Sequence, residues 1–380
     1  MQYLKSAIQH YRNLGVQAKA AVWYTVSNVL QRGISFFVVP IYIRIISTKE
    51  YGEYSLFQSW NSIILVFATL NLYAGVFTKS MVDYNSDRER YTSSMQGLNT
   101  LSAFVVFIIW LLVRNTTALN IDISFGESAF LLLFYITYPA TCYWLTKQQV
   151  SYRYMKMITV SLSVALVTPI VSLLLLRFTG LRVKALIYGY VISQTIFGLV
   201  FYIIGFVKGK TIFIKEYWIK ALKFNIPLIP HYLSLIVLAQ ADRIMIGSMC
   251  GEDKAGIYTF AYQIALLMSI ITSGINSALL PWLYGNLKNT TYSNIRKTIN
   301  YICAFVGIMT LMAILVSPEI VHILGTADYN DAINIIPAVA ISVYCTFCYG
   351  LYVNVEFYYS ATKYVMLAST SGAILNIVLN

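Results

Sequence analysis

Charge is scarce in this chain: Asp, Glu, Lys and Arg together make 11% of its 380 residues, against roughly 25% in ordinary soluble domains. Fifty-eight per cent of the side chains are hydrophobic, a composition suited to lipid. Acidic residues are the scarcer sign, 15 against 27 Lys plus Arg, giving a net charge of +12. In a soluble protein that excess would suggest nucleic acid. In a chain this apolar it is expected in loops beside anionic headgroups, so membrane lipids are the expected partners and nucleic acid is not.

Other absences narrow the chemistry. Three scattered histidines (His10, His231, His322) and no HExxH leave no metal site to expect. Five cysteines, an odd number lying mostly in apolar runs, do not build a disulfide scaffold. Cys345-Thr-Phe-Cys348 sits mid-span with no second pair to complete a zinc site. The stretch Gly205 to Thr211 has three residues between its glycines where a phosphate-binding loop needs four, so ATP-driven pumping is not expected, and no cofactor is. Connections are too short for the substrate domain of a membrane glycosyltransferase. The first nineteen residues lack the apolar run of a signal peptide, so the first helix is expected to stay.

What the chain has is apolar runs of membrane length. They lie near 20–46, 56–79, 97–114, 126–146, 157–177, 184–207, 225–247, 257–284, 298–317, 331–353 and 364–380, each long enough to cross about 30 Å of hydrocarbon. Lys and Arg fall 18 to one side and 7 to the other, with Arg32 and Arg44 inside the first span; the N-terminus is therefore expected in the cytoplasm. Prolines at 40, 139, 169, 227, 230, 281 and 337 are expected to interrupt six of the spans.

The halves repeat. Gly52-Glu-Tyr54-Ser55-Leu56 matches Gly256-Ile-Tyr258-Thr259-Phe260 at an offset of 204, and the segment from Tyr91 matches that from Tyr292 at 201. Both glycines read as turns after a span. The predicted fold is all-α and polytopic: two six-helix bundles in parallel repeat, of the kind that rock about a central site. Its parts are an N-terminal bundle over 1–207, a basic cytoplasmic linker over 208–223 and a C-terminal bundle over 224–380. On this count about eleven spans are present and the twelfth is expected to be missing.

Polar residues inside spans are costly and mark a cavity or a partner helix. On the first span Tyr24, Asn28, Gln31, Arg32 and Ser35 share a face. On the seventh, His231 follows Pro230, and Gln240, Asp242 and Arg243 come later; Asp242 and Arg243 point about 100° apart and need not pair. Arg44 holds the equivalent place in the first half, where it reads as an anchor as readily as a ligand contact. Lys79 closes the second span, and Glu356 ends the tenth. Ser269, Thr272, Ser273 and Asn276, like Gln58, Asn61 and Asn71, read first as glue between helices. Asp328 and Asp331 read as a solvated loop before a catalytic pair, and the 31 tyrosines as an interfacial belt before a sugar-stacking surface.

The segments 44–60 (RIISTKEYGEYSLFQSW), 225–247 (NIPLIPHYLSLIVLAQADRIMIG), 255–264 (AGIYTFAYQI) and 356–380 (EFYYSATKYVMLASTSGAILNIVLN) resemble the Wzx-type polysaccharide flippases. These belong to a superfamily that also holds multidrug extruders and lipid II flippases. The resemblance implies a non-enzymatic transporter of the bacterial cytoplasmic (inner) membrane. Its substrate would be a polyprenyl-pyrophosphate carrying an oligosaccharide, flipped outward for O-antigen, capsule or exopolysaccharide assembly, with polysaccharide polymerase and chain-length proteins as further partners. It also implies a cationic cavity for the head group, with Arg32 first, Lys79 and Arg243 behind it, and Asn28 and Gln31 beside them. Asp242, His231 and Glu356 are the candidates for ion coupling. A drug extruder, a lipid II flippase and a membrane polymerase or ligase stay open as alternatives.

Overall fold

The computed structural model describes residues 15–114, 124–290, 292–359 and 362–379. The signal-peptide reading of the N-terminal segment therefore falls mostly outside the described residues. Among these there is no strand; the chain is a succession of helices. In order they are α1 (Val16–Ile43), α2 (Thr48–Thr69), α3 (Gly75–Asp83), α4 (Arg88–Val113), α5 (Phe125–Val150), α6 (Tyr154–Phe178), α7 (Val183–Gly209), α8 (Lys215–Asn225), α9 (Ile229–Cys250), α10 (Glu252–Ala265), α11 (Leu267–Lys288), α12 (Tyr292–Leu315), α13 (Ser317–Leu324), α14 (Ala332–Tyr358) and α15 (Thr362–Leu379). Nine stretches among the described residues are helical, long and apolar enough to cross a membrane.

Three sequence expectations need correction. The run 56–79 is not one helix: Leu70 and Asn71 take left-handed backbone (φ 49° and 48°), ending α2, and the Asn225 side-chain amide donates to the Leu70 carbonyl at 2.7 Å. The prolines at 40, 139, 169 and 337 lie inside continuous helices. Each removes one N–H, and neighbouring groups in a helical bundle re-satisfy what is freed. The glycines of the repeated motif are not turns. Gly52 lies within α2 and Gly256 within α10, and the turn before α10 is made by Gly251, with φ 102°.

The described residues form two compact units, one of residues up to Ile34 with Trp60–Leu233, the other of Ser35–Ser59 with the chain from Ser234 onward. In the first unit α7 is the central helix, packed on α4, α5 and α6. Small residues make that possible: a Cβ at Gly189 would lie 2.5 Å from the Ser172 Cα, and one at Gly198 would lie 2.6 Å from the Thr137 carbonyl oxygen. Between helices in lipid, such close approach replaces the hydrophobic drive available in water. Some buried polar groups find partners across helices: the Tyr135 hydroxyl donates to Asn61 Oδ1 (3.0 Å) and the Asn99 amide to the Tyr135 carbonyl (3.1 Å). An aromatic core of Phe77, Tyr91, Tyr143 and Tyr217 holds α8 against α3 and α4.

In the second unit the repeat becomes a contact. A Cβ at Gly52 would fall inside the Glu252 carbonyl, 2.6 Å from its carbon, and one at Gly256 would lie 3.2 Å from the Thr48 carbonyl carbon. Thr48 and Glu252 are themselves 204 positions apart, so the crossing of α2 and α10 is reciprocal, each glycine receiving the main chain of the other helix. Tyr51 and Phe260 flank it, both packed edge-on against the buried Tyr329 ring.

Candidate functional site

Helix α9 starts after a single 3₁₀ turn carrying Pro227 and carries its polar residues in its second half. There Asp242 and Arg243, adjacent in sequence, turn to different neighbours. The Asp242 carboxylate accepts the Tyr258 hydroxyl of α10 at 2.9 Å and the Asn376 amide of α15 at 3.1 Å. The Arg243 guanidinium donates through Nη1 to Gln240 Oε1 at 2.5 Å, and its central carbon stands 4.6 Å from the centre of the Tyr262 ring. Gln240 Oε1 also accepts the Ser59 hydroxyl of α2, at 3.1 Å. Tyr258 and Tyr262, one turn apart on α10, thus supply one partner to each member of the pair.

Two polar atoms in this cluster are left over. Arg243 Nε and the Asn376 side-chain oxygen are buried and have no hydrogen-bond partner among the described residues. Beside them a cavity of about 240 Å³ is lined by Asp242, Met245, Ile246, Met249, Cys250 and Tyr258. A carboxylate at the wall of a cavity can hold a small cation. A guanidinium with an unused donor can take one more oxygen acceptor.

On α1 the polar face divides: Gln31 donates within the helix to the Ser27 carbonyl (3.3 Å) and hydroxyl (3.1 Å), and Ser27 joins α1 to α6 through Ser161 (3.3 Å). Asn28 and Arg32, on the same helix, are exposed. Lys79 is exposed on α3, its ammonium 5.9 Å from the centre of the Phe224 ring of α8. These residues, with His231, belong to the first unit, whereas Asp242, Arg243 and Glu356 belong to the second. His231 and Glu356 are both half-buried, in the first turn of α9 and the last turn of α14.

Arg44 is an anchor. It donates through Nη2 to the Ile323 carbonyl at 3.0 Å, in the last turn of α13, where the helix dipole favours a cation. Asp331 is paired with Lys254 at 3.0 Å. Asn276 accepts from Asn354 at 2.7 Å, again between two helices. Among the described residues no group of three His, Cys, Asp or Glu side chains gathers as a metal site.

Sequence reading missed Tyr258, Tyr262 and Asn376 as parts of the cluster. A signal existed for the first: the repeat aligns Tyr258 with Tyr54, whose hydroxyl accepts the Gln58 amide at 2.8 Å one turn on, as Tyr258 and Tyr262 are one turn apart. Read as part of a turn, the motif concealed that helical face.

Comparison with known proteins supplies the family. Residues 18–287 match the family described as polysaccharide biosynthesis protein. The Lsg locus putative protein 1 of Haemophilus influenzae is 24% identical over 370 residues, covering 94% of this chain and 88% of that protein. An uncharacterized membrane protein of the same organism is 23% identical over 379 residues, covering 93% and 86%. Among solved structures, an inward-facing multidrug resistance MATE family transporter of the MOP superfamily aligns with a TM-score of 0.55 at 12% identity, over 92% of this chain and 83% of that one. The chain is thus a multi-pass membrane protein that belongs to the polysaccharide biosynthesis protein family and has the fold of a MOP-superfamily transporter.

Proposed function

We propose that this protein is a flippase that moves polyprenyl-pyrophosphate-linked oligosaccharide repeat units from the cytoplasmic to the outer leaflet of a bacterial inner membrane. The units would feed O-antigen, capsule or exopolysaccharide assembly, handed on to a polymerase and chain-length proteins. The observation that carries the reading is the family match across residues 18–287 on a chain of membrane-length helices. A polysaccharide pathway needs such a protein where its intermediate is anchored in lipid and its sugars face the wrong side. Pyrophosphate and sugars cannot cross about 30 Å of hydrocarbon unaided, whereas the prenyl chain can stay in the bilayer.

In this reading the protein supplies a hydrated, cationic path and performs no covalent step. Arg243, with its unused Nε donor, suits a phosphate oxygen, because a charge-assisted bond from a guanidinium is stronger than a neutral one. Arg32 and Lys79, with Asn28 and Gln31 nearby in sequence or on the same unit, are the head-group contacts proposed for the first unit. Asp242 is the first candidate for ion coupling, given its cavity, with His231 and Glu356 behind it. The N-terminus is proposed to face the cytoplasm, from the distribution of Lys and Arg.

The test is lipid extraction from a producing strain lacking the gene. Accumulation of polyprenyl-linked oligosaccharide on the cytoplasmic side, with loss of surface polymer and rescue by this chain, is the expected result. A second reading, drug extrusion, is favoured only by the likeness to a multidrug transporter. Unchanged surface polymer with raised drug sensitivity would replace the flippase by the extruder.

A further inference from the structure

The first unit contains an apolar hollow that the flippase reading does not use. Helix α7 is capped by Lys210, which takes left-handed backbone with φ 51°, and the chain folds back onto α4. A Cβ at Gly97 would lie 3.0 Å from the Ile212 carbonyl carbon, so only glycine admits the returning segment there. The Ile214 N–H donates to Ser94 Oγ (3.2 Å) and the Trp218 indole N–H to the Ser94 carbonyl (2.9 Å). Among α4, α7 and this segment remains a cavity of about 560 Å³, walled by Leu101, Phe104, Tyr202, Phe206, Ile212 and Trp218. That is within the ~300–1,000 Å³ of small-molecule sites.

The polar atoms of the walls are already engaged. The Thr100 and Tyr202 hydroxyls bond each other at 2.9 Å, and the Trp218 N–H is held by Ser94. An occupant therefore meets hydrocarbon and ring faces. Leu101, Phe104 and Ile212 are exposed, as are Ile108 on α4 and Ile203 and Val207 on α7, so the hollow lies on a broadly apolar surface. Lysines bracket the lining residues in sequence: Lys208 follows Phe206 by two positions and Lys210 precedes Ile212 by two, with Lys215 beyond, all three exposed. The opposing charge in that stretch is Glu216 alone. Lys220 is engaged by the Tyr84 hydroxyl (3.1 Å) and Asp83 (3.8 Å), Asp87 accepts from Tyr217, and Glu89 pairs with Lys147 at 2.8 Å.

We infer that this hollow binds one acyl chain of an anionic glycerophospholipid, its phosphate resting on Lys208 and Lys210. An apolar hollow whose lining residues are flanked in the chain by two exposed lysines matches a ligand with a hydrocarbon chain and a net negative head. A zwitterionic lipid would bring the chain without the charge complement, and each nearby Lys adds attraction for an anionic surface.

Trp218 reports on occupancy. The full chain is placed in mixed micelles with phosphatidylglycerol or phosphatidylcholine brominated in the acyl chain. The Trp218 contribution is taken as the difference from Trp218→Phe. Half-quenching at about tenfold lower mole fraction of the glycerol lipid is expected, with the preference abolished in Lys208→Gln/Lys210→Gln. Native mass spectrometry of the unmodified chain, counting retained phosphatidylglycerol against the same double variant, gives the answer without altering Trp218. Equal half-quenching by the two lipids, or equal retention by the protein and the double variant, overturns the proposal and leaves ordinary boundary lipid. Displacement of the brominated lipid by polyprenyl phosphate at lower mole fraction than by unlabelled phosphatidylglycerol overturns it in favour of the prenyl chain.

Discussion

Replacing Gly52 by alanine puts a methyl group into a main-chain carbonyl. The added carbon would sit 2.6 Å from the Glu252 carbonyl carbon and closer still to its oxygen, so no side chain can rotate away and α10 has to retreat bodily from α2. Overpacking of this kind costs about 1–3 kcal/mol and sometimes more. Against it stands the ~0.5–1 kcal/mol that alanine gains over glycine inside a helix. The steric cost wins, and Gly52→Ala is expected to be destabilised by about 2 kcal/mol. Gly33, inside α1, has nothing within 4 Å of its would-be Cβ, so Gly33→Ala is the control and is expected to be neutral or slightly stabilising. Thermal unfolding in detergent, followed by tryptophan fluorescence, ranks the variants. Because the contact is reciprocal, Gly256→Ala should fall near Gly52→Ala, and the double variant should lose less than the two singles combined, since one displacement relieves both clashes. A Gly52→Ala melting temperature equal to that of Gly33→Ala would refute the reasoning.

Three further outcomes follow from named contacts. The Glu53 carboxyl is held above its ordinary value of 4.5, first by burial and then by the charge of Glu252. A raised carboxyl pKa contributes stability below the unfolded value that is lost as pH rises through the folded one. Glu53→Gln is therefore expected to raise the melting temperature at pH 7 more than at pH 4, and an equal rise at both excludes the linkage. Arg44→Ala frees the Ile323 carbonyl at the end of α13 and should cost about 0.3–1 kcal/mol, more at low salt than at high; a salt-independent loss would point to packing instead. In a strain dependent on this chain for surface polymer, Arg243→Ala and Arg32→Ala should abolish polymer with expression retained, while the lysine variants keep part of it. Full polymer in either alanine variant removes that arginine from the proposed path.

The helical, membrane-crossing character of the chain was legible because it rests on local composition. Apolar runs and scarce charge need no knowledge of neighbours. The break at Leu70–Asn71 was not legible, because the apolar run continues through Leu72 and Tyr73 with no Pro or Gly before Gly75; the left-handed pair is stabilised from Asn225, 155 positions away. Gly52 and Gly256 were visible as a repeat but carried the wrong meaning. Glycine punctuates turns and also admits close helices, and only the partner main chain decides between the two. The site shows the same division. Asp242 and Arg243 stand out as charges in an apolar run, whereas Tyr258 and Asn376 lie 16 and 134 positions on, on two other helices. Prolines 40, 139, 169 and 337 show the converse error, since a residue that breaks helices in water stays within them here.

The reciprocal glycine crossing also sets a timetable for making the protein. Thr48 and Glu252 are separated by 204 positions, and a ribosome adding ~5–20 residues per second takes roughly 10–40 s to cover that distance. Through that interval the start of α2, with Lys49, Glu50 and Glu53 in its first two turns, has left the ribosome while the carbonyl that Gly52 will receive does not yet exist. α2 is also too polar to count among the stretches apolar enough to cross a membrane. Until Glu252 is made, this helix lacks the main-chain carbonyl that Gly52 receives in the folded protein.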